Sequence, residues 1–493
     1  MPRDTSITPV HWTAAQLALL GHTARQTLSR KDLGLWQESM GARDPIPLIE
    51  TQEKMRIQEF LPLRHHRMAQ SPFAFYRGSA LLMAHDLAQR GGGTGIRVQL
   101  CGDAHLANFG LFAAPNRDVL FDINDFDETH PGPFEWDVLR LATSYALAAQ
   151  TRGHSIEKSL GLVELMGRSY RKAMGHYALI PEIDIWSEHP DENWMERTLE
   201  PEAGKSGVRQ FRDYIKKARE KNRWTAVMKL TKEGSTGRKF IDAPPLLTRI
   251  PLSDEALAKQ HEFFLQYTES TDLAVRELLM RYRVIDMGHK VVGVGSVGLA
   301  AYVHLLEGIR PDDLLVIQIK EATNSVLAAF VPDVPEGHDG KRVIRGQRLM
   351  QAASDQFLGW FRGPLGREFY VRQLRDMKFK PDPDDMDLPE LRNLAWLSGI
   401  TLARAHARSG QSITIHHYLG HSNRFEQALA AFSEAYIAQV HADYTRFLDA
   451  LSKGQLAQAR EDILPPEFAE HHERGVLIAG REPPPKKMPQ NSN

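Results

Sequence analysis

The stretch Cys101-Gly-Asp-Ala-His-Leu-Ala-Asn-Phe-Gly110, followed at Val119-Leu-Phe-Asp-Ile-Asn-Asp-Phe-Asp-Glu128, carries most of the chemistry the chain displays. Residues 98–100 and 119–123 are short apolar runs with β-branched members, bounded by Gly102, Gly110, Pro115 and Asn116. They read as two buried strands flanking a polar loop and are expected to meet in a hairpin. Asp103 follows the first strand, Asn108 comes five residues later, and Asp125 closes the second strand. Two carboxylates and an amide oxygen at strand ends are hard ligands suited to Mg²⁺, with one carboxylate left free as a base. The same residues also form turns, and Asp122, Asp125, Asp127 and Glu128 read alternatively as a solvated acidic loop. Four carboxylates beside a buried strand repel one another unless a cation is present, which favours the binding reading.

Gly102-Asp-Ala-His-Leu-Ala-Asn108 resembles the catalytic loop of aminoglycoside phosphotransferases and choline kinases, and Asp125-Phe-Asp127 resembles the metal-binding Asp that follows it. Gly132-Pro-Phe-Glu-Trp-Asp-Val-Leu139 is similar to the stretch whose Asp braces that loop. Cys101 departs from the pattern, in which His usually precedes Gly-Asp. The resemblance implies a base at Asp103, a loop brace at His105, Mg²⁺ ligands at Asn108 and Asp125, and a backbone brace at Asp137. Arg64-His-His-Arg67 and Ser71-Pro-Phe-Ala-Phe-Tyr-Arg-Gly78, joined to residues 102–128, also resemble a bacterial family filed as domain of unknown function 2252. Arg77, between aromatics and a glycine, is a candidate for forking onto substrate oxygens, with Asp127 a further supporting candidate.

A second centre lies at Val291-Val-Gly-Val-Gly-Ser-Val-Gly-Leu299. A Gly-x-Gly-x-x-Gly run alone is shared by dinucleotide-binding folds, but there it opens a helix. Here residues 299–306 are β-compatible and lead through Glu307-Gly308 into another strand, 314–319, which ends at Lys320. Strand, Gly-rich loop, strand, turn, strand and Lys is similar to the kinase small lobe, whose Val-Ala-Ile-Lys matches Val-Ile-Gln-Ile-Lys320. That likeness implies phosphate contacts from Gly293, Gly295, Ser296 and Gly298, and from Lys320. A Lys at a buried strand end is unfavourable unless it meets an anion. The helix expected at 343–353 contains no Glu, so the usual Lys–Glu pair is either absent or replaced through Glu321, Gln347 or Gln351.

The chain has 493 residues, enough for two or three domains, and a net charge of −1, which shows neither a nucleic-acid nor a membrane-surface footprint. Its single Cys excludes an internal disulfide framework and fits a reducing compartment. Met-Pro-Arg-Asp-Thr-Ser lacks the apolar core of a signal peptide, so a cytoplasmic protein without a membrane partner is expected.

Residues 1–60 read as a helical arm with Trp12, Leu17, Leu19 and Leu20 on an apolar stripe. Residues 61–281 carry the catalytic loop and helices, 282–380 a small β-rich lobe, 381–479 completing helices, and 480–493 a disordered tail. His416, His417 and His421 read as structural, since no carboxylate or Cys stands at metal spacing. The amphipathic helix 388–409 is similar to the phosphotransferase helix that runs directly into the catalytic loop, yet the loop lies about three hundred residues earlier. The expected fold is therefore α+β, a kinase-like two-lobe fold in circularly permuted order, with a mostly helical large lobe and a small antiparallel β lobe. Permutation is tolerated where termini lie close together at the surface.

The expected function is an ATP- and Mg²⁺-dependent phosphotransferase whose partners are a nucleotide and a hydroxyl-bearing acceptor. Rival readings are a metal-dependent phosphoesterase built on Asp103-Ala-His105, a non-catalytic nucleotide-binding module, and AMP transfer on the same fold.

Overall fold

The computed structural model describes residues 12–458 except 92, 235–236, 292–296, 311, 333–336, 375–376 and 381. Its architecture is mixed α and β, a helical body joined to a six-stranded antiparallel sheet. Among the described residues no helix is long and apolar enough to cross a membrane.

Four short strands frame the Asp-rich stretch: β1 (Arg97–Leu100), β2 (Phe109–Ala113), β3 (Val119–Ile123) and β4 (His130–Pro133). The expected hairpin of residues 98–100 with 119–123 does not form. Instead β1 pairs with β4, and β3 pairs with β2, a strand within the stretch expected as a polar loop. Phe109 and Leu111 explain the difference, because both are buried and alternate across β2. The two pairs place the 101–108 loop beside the 124–129 turn.

A hairpin of β5 (Thr231–Gly234) and β6 (Gly237–Phe240) precedes β7 (Leu247–Ile250), which joins the large sheet with β8 (Arg283–Lys290), β9 (Ala301–Glu307), β10 (Leu314–Ala322), β11 (Gly359–Arg362) and β12 (Glu368–Gln373). The strand order is β11-β12-β10-β9-β8-β7. The period of two sorts β10 into faces. Leu315, Ile317 and Ile319 pack with Phe369, Val371, Tyr267 and Leu279 under the helices Asp254–Glu269 and Leu273–Leu279. On the opposite face Leu314 and Val316 pack with Val227, Phe240 and Leu374, and then the pattern turns polar at Gln318 and Lys320. By the same alternation Tyr370 and Arg372 of β12, which pair with Lys320 and Gln318, share that polar face. The face stops being apolar where it leaves its helical cover and meets the Asp-rich loops.

The helical body rests on Leu388–Ser409 packed against Ile156–Tyr177. Gly399 permits the close approach, since a Cβ there would stand 2.0 Å from Ser169 Oγ and 2.5 Å from the Met166 carbonyl oxygen. Arg404 of the same helix meets Asp122 of β3 at 2.6 Å with both side chains fully buried, tying body to hairpin. The amino-terminal helix Ala14–Thr27 packs on Ser412–Leu419 through Leu17 and Gly21, and Thr414 Oγ1 donates to the Leu17 carbonyl. Of the expected apolar stripe only Leu17 is buried, whereas Trp12, Leu19 and Leu20 are exposed. The stretch 256–281, expected as one helix, breaks at Ser270 into two.

Candidate functional site

Gly102 turns the chain out of β1 with φ +84°, and a Cβ there would sit 2.0 Å from the Glu128 carbonyl oxygen, so glycine alone fits between the two loops. The turn is clamped by Asp137, at the start of the helix Phe134–Thr151. Its carboxylate accepts from the backbone N–H groups of Cys101 at 2.8 Å and Gly102 at 3.1 Å. His406 stands 3.4 Å from the same carboxylate and is held from behind by the Tyr170 hydroxyl at 2.8 Å.

Beyond the turn Asp103 faces Arg140, whose Nε and Nη2 both lie 2.6 Å from Oδ1. Arg140 also donates to the Tyr76 carbonyl and lies over the Tyr76 ring at 4.3 Å. Burial raises the Asp103 carboxyl above the ordinary carboxylate value, with Arg140 opposing that rise. His105 Nε2 is 3.7 Å from Asp103 Oδ2 and its Nδ1 is buried without a partner. Burial and the charges of Arg77, Lys380 and Arg140 keep this imidazole neutral. Asn108 donates its side-chain amide to the Asp103 carbonyl oxygen at 2.8 Å, and its own carbonyl accepts from Asn124 N at 2.7 Å, coupling the loop to the turn that carries Asp125.

Asp125 accepts from the Asp127 N–H at 3.3 Å. Asp127 points the other way, into the sheet: Lys320 Nζ donates to its Oδ2 and the Tyr370 hydroxyl to its Oδ1 at 2.5 Å. Burial works against both charges, yet the pairing outweighs it, holding Asp127 well below the usual carboxylate range and Lys320 charged. The partner of Lys320 is thus none of the three side chains that the sequence offered. Glu321 accepts from Ala300 N at 2.9 Å, while Gln347 donates to Gln351 and Gln351 to the Ile123 carbonyl. The helix Asp339–Met350 contributes Arg342, which donates to the carbonyls of Asp127, Thr129 and Thr323 and fixes the turn.

Asp103, Asp125, Asp127 and Glu128 line a small cavity of about 50 Å³ together with Arg56 and Arg77. Arg77 lies over the Phe73 ring at 5.7 Å with its buried Nε unpartnered, and Asp103 and Asp125 are among the carboxylates that act on it. Arg56 donates Nη1 to the Val297 carbonyl at 2.5 Å, and among the described residues its buried Nε has no hydrogen-bond partner. Burial, with Arg64 nearby, pushes its pKa down to about 9. Burial pushes the Glu128 carboxyl up to about 7, against the hydrogen bond it accepts from Val326 N.

Of the glycine-rich loop, Gly293, Gly295 and Ser296 lie outside the described residues. Gly298 has φ +91° and its carbonyl accepts from Ile57 N at 2.7 Å, so the segment carrying Arg56 supports the end of that loop. Among the described residues no three His, Cys, Asp or Glu side chains stand in metal-holding geometry. A divalent ion at Asp125 and Asn108 therefore needs oxygens brought by its ligand, as Mg²⁺ ordinarily takes them from phosphates.

A larger cleft of about 850 Å³ opens between β2, the polar face of β10 and β12, and residues 377–380. Its size falls within the range of small-molecule sites. The site expected from the sequence includes neither Arg140 nor Arg56, nor this cleft, whereas Glu128 belongs to the expected carboxylate cluster. Arg140 had a usable signal, because it lies one helical turn after Asp137 and so shares its face.

A family profile described as "Uncharacterized protein conserved in bacteria (DUF2252)" matches residues 56–450. No curated protein and no solved structure matches the chain. The matched span includes the Asp-rich loops, the sheet and the helices that brace them, and the chain belongs to this bacterial family.

Proposed function

We propose that the protein is an ATP- and Mg²⁺-dependent phosphotransferase of circularly permuted, kinase-like architecture, acting on a hydroxyl group of a small molecule or a protein. The observation that carries this reading is the meeting of Lys320, on the sheet, with the Asp125–Asp127 turn. The strand order β11-β12-β10-β9-β8, with Lys320 on β10 and the helix Asp339–Met350 next in the chain, supports a kinase-type small lobe. The order Gly102-Asp103, Asn108, β2, β3, Asp125 supports a kinase-type catalytic segment.

In this reading Asp103 orients the acceptor hydroxyl and takes its proton as the oxygen attacks the γ-phosphorus and the bond to the ADP oxygen breaks. Asp137, through the backbone of residues 101 and 102, fixes where Asp103 stands. His105, neutral beside Asp103, fills the loop without competing for the proton. Asn108 and Asp125 would hold Mg²⁺, which offsets the phosphate charge that shifts during transfer. Arg77 and Arg56, each with an Nε that has no partner among the described residues, supply donors at the cavity where that charge gathers.

A non-catalytic nucleotide-binding reading draws on one observation: Arg140 already occupies Asp103 Oδ1, which weakens it as a base. Calorimetric titration with ATP, with and without Mg²⁺, tests the binding step on wild type, Asp125→Ala and Lys320→Ala. The phosphotransferase reading expects Mg²⁺-dependent binding, weakened about tenfold or more by the loss of a metal-ligating carboxylate. Absence of ATP binding under every metal condition would remove it. Turnover by wild type that Asp103→Asn abolishes would exclude the non-catalytic reading.

A further inference from the structure

The large cleft has a marked charge imbalance. Six cationic side chains line it, Arg117, Arg223, Lys290, Arg372, Lys378 and Lys380, against one carboxylate, Asp355. Asp355 is engaged by the N–H groups of Phe357 and Gln373. Three of the cations are the informative ones. Arg372 donates Nε to the neutral oxygen of Gln318 at 3.1 Å, and Tyr370, Asp125, Asp127 and Asp355 act on its charge from farther off. Lys378 is half-buried and Lys380 is open to the cleft, and among the described residues neither ammonium has a hydrogen-bonding or ion-pairing partner. The charges acting on Lys378 are chiefly Arg372 and Lys380, and those acting on Lys380 include Arg77, Asp125 and Asp103.

Lys320, by contrast, is already neutralised by Asp127. Lys378 and Lys380 repel each other and Arg372 along one wall of this cavity, with only more distant carboxylates to offset them. This cluster is complementary to a ligand with several negative charges.

We propose that Arg372, Lys378 and Lys380 form the binding site for a polyphosphate chain, with Lys320 serving to position Asp127. Resting on the nucleotide reading above, this inference places the triphosphate along β12 and the segment after it. Lys380, acted on by the charges of both Asp103 and Asp125, marks where that chain approaches the aspartates.

The test is calorimetry with Mg·ATP and, separately, with inorganic tripolyphosphate, on wild type, Lys378→Ala/Lys380→Ala and the charge-preserving Lys378→Arg/Lys380→Arg. Both probes are expected to bind wild type in competition, to lose at least about tenfold in affinity with the alanine pair, and to recover with the arginine pair. Thermal melting of the ligand-free alanine pair is expected at or above the wild-type temperature, because repulsion is removed. Melting far below wild type would contradict the absence of structural partners. ATP binding unchanged by the alanine pair would overturn the site and leave the nucleotide reading standing. Tripolyphosphate binding without ATP binding would keep the site and overturn the nucleotide reading. Binding of neither probe would overturn both.

Discussion

Lys320 and Asp127, 193 residues apart in the chain, form the contact by which the sheet meets the Asp-rich turn. The ammonium is almost wholly buried, and Tyr370 holds the other carboxylate oxygen. Removing one member leaves the other charge uncompensated in the interior. Lys320→Met and Asp127→Asn are each expected to lower stability by about 3 kcal/mol. The double variant should fall short of the sum by about 2 kcal/mol, because its partners are coupled. Denaturant unfolding of the four proteins measures this cycle, and strict additivity would refute the coupling.

If Asp103 is the base of the proposed phosphotransferase, its pairing with Arg140 sets the acid side of the activity. Asp103→Asn is expected to reduce turnover by about two to four orders of magnitude, the range for losing a general base. Arg140→Met takes away the cation that keeps the Asp103 carboxyl from rising further. The acid limb of the pH–rate profile should therefore move to higher pH. A profile that stays in place would detach Asp103 from the rate.

Gly102 combines a left-handed φ with an approach that no side chain can share. Gly102→Ala is expected to destabilise the fold by about 3 kcal/mol or more, from backbone strain added to overpacking against residue 128. Asp137→Asn keeps the shape but weakens acceptance from the Cys101 and Gly102 N–H groups, with an expected loss of about 1–3 kcal/mol. Unfolding midpoints of both variants check the two values.

Glu128 gives the fold a pH dependence of its own. Its carboxyl, ordinarily 4.5, is raised by burial to about 7 in the folded protein. Between those values the folded state binds more protons than the unfolded one. This contribution to stability is full below about pH 4.5, declines as pH rises to about 7, and is level above. Glu128→Gln should flatten that decline in melting temperatures recorded between these limits, and an unchanged slope would assign it to other groups.

Much of this was legible in the sequence because the informative residues are local. Gly-Asp, Asn and Asp at strand ends mark the loops directly, and the apolar run 314–319 marks the strand that carries Lys320, which continues two residues further to Ala322. Helix 388–409 was read with its observed bounds, since Asp387 and Pro389 start it and Gly410 ends it. Pairing was not legible. Residues 98–100 and 119–123 are adjacent in pattern, but β2 lies between them and β4 follows, each taking one as its partner, and short apolar strands do not announce their partners. The partner of Lys320 was obscured for a related reason. An Asp in a run of four carboxylates looks interchangeable with its neighbours until the backbone turns Asp127 toward the sheet and Asp125 away. The cationic cleft is not legible because Arg372 belongs to a strand and Lys378 and Lys380 to the segment after it, and the backbone pairing of Phe379 with Leu111 is what sets that segment beside β2.

The most direct measurement is hydrogen exchange of the full chain with and without Mg·ATP. The account predicts that the nucleotide slows exchange together in residues 101–128, in 314–322, and in 370–374 with 377–380, as the proposed single site requires. Protection confined to one of them, or absent from all three, would contradict it.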